Sequence, residues 1–275
     1  MGLDQHRTGL TPSDASSREP SSRGVLRPDR LPRFDRIPAT GAAAQWVRWF
    51  WISQWDLPDG AESAQDVIGF PALNVVVEPS TVSVSGATTK LSTQVLTGSG
   101  WAVGALMRPA AVDWLAVEPA ALVDQVVTTS LDAVARPVRT AMQQSGDAAA
   151  AAAAFSDALC GDASAPTADA LLADRIVTLI ESDSTVVAVD HVGAAVGVSA
   201  RTVQRLTLRY TGLTPLTLIR RRRLHEAAER VRNDQSALAD IAADTGFSDH
   251  AHLTREFSRV LGFTPSAYRA TASTD

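Results

Sequence analysis

The sequence predicts an α+β fold. A β-rich N-terminal domain, barrel-like or a small sandwich, precedes an all-α C-terminal domain with two helix-turn-helix units joined by a long helix. Three observations lead there. Short Val- and Thr-rich runs bounded by turn residues follow one another between residues 39 and 107. From residue 168 onward the apolar residues recur at three to four positions instead. In that C-terminal region the same punctuation occurs twice, 50 residues apart: Gly212-Leu213-Thr214-Pro215 and Gly262-Phe263-Thr264-Pro265.

Composition bounds the function. The 275 residues are 45% hydrophobic and 20% charged, the balance of a globular chain long enough for two domains. One Cys excludes a disulfide framework and any multi-cysteine zinc site. The first residues lack the apolar run of a signal peptide, and the run Ala148 to Phe155 is too short to span a bilayer. A cytoplasmic protein with no membrane partner is expected. The net charge of −5 is unevenly spread. Residues 1–167 hold 12 Arg and Lys against 17 acids, whereas residues 196–270 hold 12 Arg against seven acids. The local positive charge is what a phosphate backbone would meet.

In chain order, residues 1–38 are rich in Ser, Pro, Arg and Asp without an apolar period and read as a disordered arm. Residues 39–160 read as the β-rich sensor or dimerisation domain with trailing helices. Gln45 to Trp55 is apolar on both alternating faces, so this strand is expected to be buried on both sides. Its tryptophans read first as core and second as the wall of a ligand pocket. Leu73–Val77, Thr81–Ser85, Ser92–Thr97 and Trp101–Met107 are further strands. Ala110–Ala116, Pro119–Val127, Leu131–Gln144 (interrupted by Pro137) and Asp147–Leu159 read as helical. Cys160 reads as a small buried hydrophobe. Residues 161–167, GDASAPT, are the linker, and 168–270 the helical domain.

In that domain Leu171, Leu172, Ile176, Leu179 and Ile180 mark an amphipathic helix. Asp190–Val196 starts the first unit, and Ser199 caps a second helix that turns Val203, Leu206, Thr207 and Tyr210 inward. Arg201, Gln204, Arg205 and Leu208 then share the outer face. Arg can bond guanine bidentately and Gln adenine, so this face suits base recognition; the plain alternative is a solvated helix surface. Thr214–Asn233 is a helix of about 28 Å at 1.5 Å per residue. From its run Arg220-Arg221-Arg222-Arg223, Arg221 and Arg222 are the candidate phosphate contacts. Ala239–Thr245, the stop at Gly246-Phe247, the cap at Ser248-Asp249 and the apolar stripe Leu253, Phe257, Val260 and Leu261 repeat the unit.

The motifs Val198-Ser199-Ala200-Arg201-Thr202-Val203-Gln204-Arg205-Leu206, Gly212-Leu213-Thr214-Pro215, Asp240-Ile241-Ala242, His252-Leu253-Thr254-Arg255-Glu256-Phe257 and Thr264-Pro265-Ser266-Ala267-Tyr268-Arg269 resemble the DNA-binding domain of AraC/XylS-type regulators. The resemblance covers a little over a third of the chain. It implies seven helices, sequence-specific binding to double-stranded DNA and control of transcription. By family position the base-facing residues would be Arg201, Gln204 and Arg205, then His250, Ala251, His252 and Arg255. Ala251 offers only an apolar contact, for instance to a thymine methyl. Trp49-Phe50-Trp51, Leu57-Pro58-Asp59-Gly60 and the stretch Gly104 to Ala111 more weakly resemble a β-rich domain of actinobacterial-type members, which implies a small-molecule effector or a homodimer. RNA polymerase is a further partner of such a regulator, and no cofactor is implied. Thr207 stands where an inward Phe is usual, Leu208 replaces a common basic residue and Gly193 replaces an Ala, which predicts a looser first unit.

Enzymatic readings fare worse. A DNA-repair alkyltransferase regulator needs cysteines that this chain lacks. His250 and His252 diverge on a helix, unlike a zinc-binding pair four apart, and no nucleophile-elbow motif occurs. A ligand-binding or protein-interaction module with weakened DNA binding is the non-enzymatic alternative.

Overall fold

The computed structural model describes Leu26 and residues 33–160 and 165–272. Among these residues eight strands form two sheets. They are β1 (Arg33–Pro38), β2 (Val47–Asp56), β3 (Glu62–Val67), β4 (Asn74–Val77), β5 (Val82–Ser85), β6 (Ser92–Thr97), β7 (Ser99–Met107) and β8 (Val126–Thr128). The larger sheet runs β1-β2-β7-β4-β5-β8 with antiparallel neighbours, and β3 and β6 pair separately.

Side chains alternate across a strand, so each sheet has two faces. One face of the large sheet carries Phe50, Ile52, Val75, Val77, Val82, Val84, Val103 and Ala105, all buried. It packs on helices α2 (Asp132–Gln144) and α3 (Ala148–Cys160), with the Phe50 and Phe155 rings 5.5 Å apart. The opposite face carries Trp51, Ser53, Trp55, Asn74, Val76, Ser83 and Ser85, and it lines a cavity that β3 and β6 face from the other side. The tryptophans are therefore divided. Trp46 is core, while Trp49, Trp51 and Trp55 are cavity wall.

Several expectations change here. The arm read at 1–38 lies outside the described residues except for Leu26 and its last six, and those form β1. Phe34 and Ile37 supply apolar contacts, and pairing with β2 satisfies the backbone. Polar β3 has no apolar period because one of its faces looks into the cavity and the other to solvent. The piece read as helical at Pro119–Val127 is a short 3-10 turn, Pro119–Leu122, followed by β8, whose Val126 and Val127 suit an extended chain better. Helix α2 continues through Pro137. That residue is exposed, so the carbonyl it leaves unpaired faces water. Cys160 is exposed, one position past the buried stripe that ends at Leu159.

After α1 (Ala111–Leu115), α2 and α3 come α4 (Ala168–Ser182), α5 (Val189–Val196), α6 (Ala200–Thr211), α7 (Pro215–Asn233), α8 (Leu238–Asp244), α9 (His250–Leu261) and α10 (Pro265–Ala272). Within α4, Ile176 and Ile180 are buried as expected, whereas Leu171 is 50% exposed. Residues 161–164 of the expected linker lie outside the described residues.

Packing does not break at that linker. One apolar cluster joins the large sheet, α2 and α3 to Ile176 and Ile180 of α4, Val203, Leu206 and Tyr210 of α6, and Leu218 and Ile219 of α7. A second joins Leu224, Ala227 and Val231 of α7 to Ile241, Phe247, Leu253, Phe257 and Tyr268, and takes in Leu26 and Ile68. Ion pairs Arg48–Glu181, Arg108–Asp174 (3.1 Å) and Arg209–Asp113 (3.3 Å) cross between the β-rich region and the helices. Among the described residues no helix is long and apolar enough to cross a membrane.

Candidate nucleic-acid interface

Two helix-turn-helix units stand in the helical region, and their local causes correspond, with one extra residue in the second turn. In the first, α5 ends at Gly197, whose φ of 75° is left-handed and suits glycine. The Val198 amide donates back to the Gly193 carbonyl (2.9 Å), and Ser199 Oγ accepts the Thr202 amide (3.2 Å) to start α6. In the second, Gly246 has φ 78°, the Phe247 amide donates to the Ala242 carbonyl (2.8 Å) and Asp249 accepts the His252 amide (2.7 Å). That N–H bond holds the Asp249 carboxyl below its ordinary value, and burial opposes the shift. Gly212 and Gly262 end α6 and α9 in the same left-handed conformation.

The outward faces follow from these frames. On α6, Val203, Leu206, Thr207 and Tyr210 are buried, and Arg201, Gln204, Arg205 and Leu208 are exposed. On α9, Leu253, Phe257, Val260 and Leu261 are buried, and His250, Ala251 and Arg255 are exposed. His252 is half-buried. Its ring stands edge-on to Phe247 at 5.3 Å, and its Nδ1 lies 3.1 Å from Ser248 Oγ, so it braces the turn. His250 Nε2 lies 3.3 Å from Thr254 Oγ1 on the same helix.

Arg205 is not free. Its Nη1 donates to Asp169 Oδ2 of α4 at 2.9 Å. This hydrogen bond holds the Asp169 carboxyl below its usual range and raises the guanidinium. Arg209, one turn on, bonds Asp113 and lies over the Tyr210 ring at 5.1 Å. Sequence reasoning missed Asp169 because nothing local couples it to a residue 36 positions later.

Arg221 and Arg222 are not at the surface, and their reading as phosphate contacts is corrected. Arg221 is 6% exposed and donates to the carbonyl and Oγ1 of Thr88. Burial pushes its pKa down to about 10, Asp124 opposing, so it stays charged at neutral pH. Arg222 is 3% exposed and donates to the carbonyls of Asp183 (2.5 Å) and Val186 (3.0 Å). Spacing carried the signal. Arg222 follows Leu218 by four and Ile219 by three, on the buried stripe, and Arg221 lies three residues from both Leu218 and Leu224. Arg220 is the member of the run that faces solvent.

The two positions behind the expected looseness of the first unit, Gly193 and Thr207, are both closely surrounded. A Cβ at Gly193 would sit 2.7 Å from the Val198 carbonyl oxygen, so this turn lies closer to α5 than an alanine there would allow without a shift. Thr207 is fully buried, and its hydroxyl donates to the Val203 carbonyl (3.0 Å) and approaches that of Gln204 (3.2 Å).

A family described as "Helix-turn-helix domain" matches residues 192–271. Residues 192–271 form an AraC-type helix-turn-helix domain. A second family, described as "Domain of unknown function (DUF6597)", matches residues 35–128, the β-rich region. Among curated proteins, the HTH-type transcriptional activator RhaS of Escherichia coli O157:H7 is 35% identical over 80 residues, 29% of each chain. The match thus spans about 29% of the length of that relative. Among solved structures, an AraC-type regulator from Chromobacterium violaceum is 25% identical, with TM-score 0.36, over 38% of this chain and 93% of its own. The DNA-binding domain of AdpA in complex with a target DNA is 27% identical, with TM-score 0.34, over 38% and 93%.

Proposed function

We propose that this chain is a sequence-specific DNA-binding transcriptional regulator that acts in the cytoplasm and places α6 and α9 in successive major-groove segments. The observation that carries this is the matched pair of capped helices. Each buries one apolar face and leaves a short exposed face outward, Arg201, Gln204 and Arg205 on one and His250, Ala251 and Arg255 on the other. In helix-turn-helix proteins the second helix of the unit enters the groove by its N-terminal residues. The roles follow from chemistry: Arg201, Arg205 and Arg255 suit guanine, Gln204 suits adenine, and Ala251 suits a thymine methyl. Ser199 and His252 support the helix starts, and Arg220 suits phosphate. The β-rich region would take a small-molecule effector, and RNA polymerase and a second copy of the chain are the further partners of such a role.

Selection of bound duplexes from a random pool with the purified full chain tests this. Enrichment of a defined motif supports it. Binding that is uniform across sequences, or no binding, would leave the chain as an interaction module.

A further inference from the structure

The face of the large sheet turned away from the helices borders a cavity of about 390 Å³, within the 300–1,000 Å³ range typical of small-molecule sites. Its floor is aromatic. Trp51 and Trp55 lie on one face of β2, and their strand partners on β7 are Gly104 and Gly100. A Cβ on Gly104 would sit 2.0 Å from the Trp51 indole, and one on Gly100 would sit 2.5 Å from that of Trp55. The two indoles thus rest on bare backbone. Their N–H groups are already used, Trp51 Nε1 on Asn74 Oδ1 (3.2 Å) and Trp55 Nε1 on the Thr97 carbonyl (3.1 Å). What the wall offers an occupant is an aromatic surface, Trp55 together with Trp51 and the Phe34 ring stacked against it at 6.4 Å. Hydroxyls and amides of Ser83, Ser85 and Gln94 supply hydrogen-bonding partners elsewhere on the wall.

The same wall holds α7. Thr88, which lines the cavity, accepts from Arg221, and Phe70, also a lining residue, stands edge-on to the His225 ring at 5.0 Å.

Resting on the reading of the β-rich region as the effector-binding part, we propose that this cavity binds a planar aromatic small molecule and that its occupancy is passed to α7 through Thr88 and Phe70. Flat π systems gain from stacking on indole faces held in register, and polar edge groups on such a molecule reach the serines and Gln94. A flexible alkyl chain would gain little from the paired rings.

The probe is 1-anilinonaphthalene-8-sulfonate, excited by energy transfer from tryptophan in the full chain without DNA. One equivalent is expected to bind, to be displaced by 7-hydroxyflavone, and to be retained against equal concentrations of n-decanoate or methyl glucoside. Trp55→Leu is expected to weaken the probe about tenfold. Gly104→Ala should abolish binding by driving a methyl into the Trp51 ring. Circular dichroism melts confirm that each variant folds. Displacement by decanoate as strong as by the flavone, or wild-type binding by a folded Trp55→Leu chain, overturns the site. Amide exchange in α7 should slow when the probe saturates, and the effect should shrink in Thr88→Val. Unchanged exchange overturns the transmission. Both readouts are independent of whether the chain binds DNA.

Discussion

Arg220, Arg221 and Arg222 are consecutive, yet they have different work. A helix turns about 100° per residue, so adjacent arginines leave it in different directions. Arg221→Met should cost about 1.5–3 kcal/mol of folding stability, because a charged donor bonded to Thr88 is lost, and should leave the salt dependence of DNA binding unchanged. Arg220→Ala should do the reverse, with stability near wild type and the slope of log affinity against log salt reduced by about one. Chemical denaturation and a salt titration by fluorescence anisotropy separate the two. Among the proposed base contacts, Arg255→Ala should cost about 1–3 kcal/mol of affinity and relax one base position. Asp169→Asn should strengthen DNA binding by releasing Arg205, and equal affinity in the two chains would remove Asp169 from the account. The α6 and α9 faces were legible in sequence because burial follows helical spacing. The Arg205–Asp169 pair was not, since it depends on how α4 packs on α6.

The recognition helices are set by their starts and turns. Ser199→Ala should destabilise by about 0.5–2 kcal/mol, the usual worth of a helix cap. Gly193→Ala should cost roughly 1–3 kcal/mol, since the new methyl meets backbone rather than a side chain that can move. Asp249 adds a pH dependence. Its carboxyl is held low in the folded chain, so its contribution is present above the unfolded value of about 3.9 and is lost as pH falls through the folded one. Amide exchange at the start of α9, compared with Asp249→Asn, should show that acid-side loss only in the wild type. The 50-residue repeat made these elements readable, because caps and glycines are local signals. The surroundings of Gly193 were not readable for a complementary reason. They depend on how closely the Val198 carbonyl folds back, which leaves no mark in the flanking sequence.

At the scale of the molecule, the two apolar clusters divide α7. Its first half belongs with the sheet and the first unit, and its second half with the second unit. The five strands rich in Val, Thr and Trp could be read from their composition and bounding turns. The polar β3 and the pairing of β1 with β2 could not, because they arise from sheet pairing across long sequence separations, and the cavity was legible only as the second reading of the tryptophans. A consequence of the shared core is that a fragment beginning at residue 165 should melt below the full chain, since it exposes the residues of α4 and α6 that the sheet covers. The central claim is that α6 and α9 each read their own stretch of duplex. The most direct test is parallel selection of random DNA with the wild type, Arg201→Ala and Arg255→Ala. The wild type should enrich two short elements about one helical turn, roughly 10 base pairs, apart. Each substitution should erase information in one element and spare the other. A single uninterrupted element, or the same motif from all three proteins, would contradict the account.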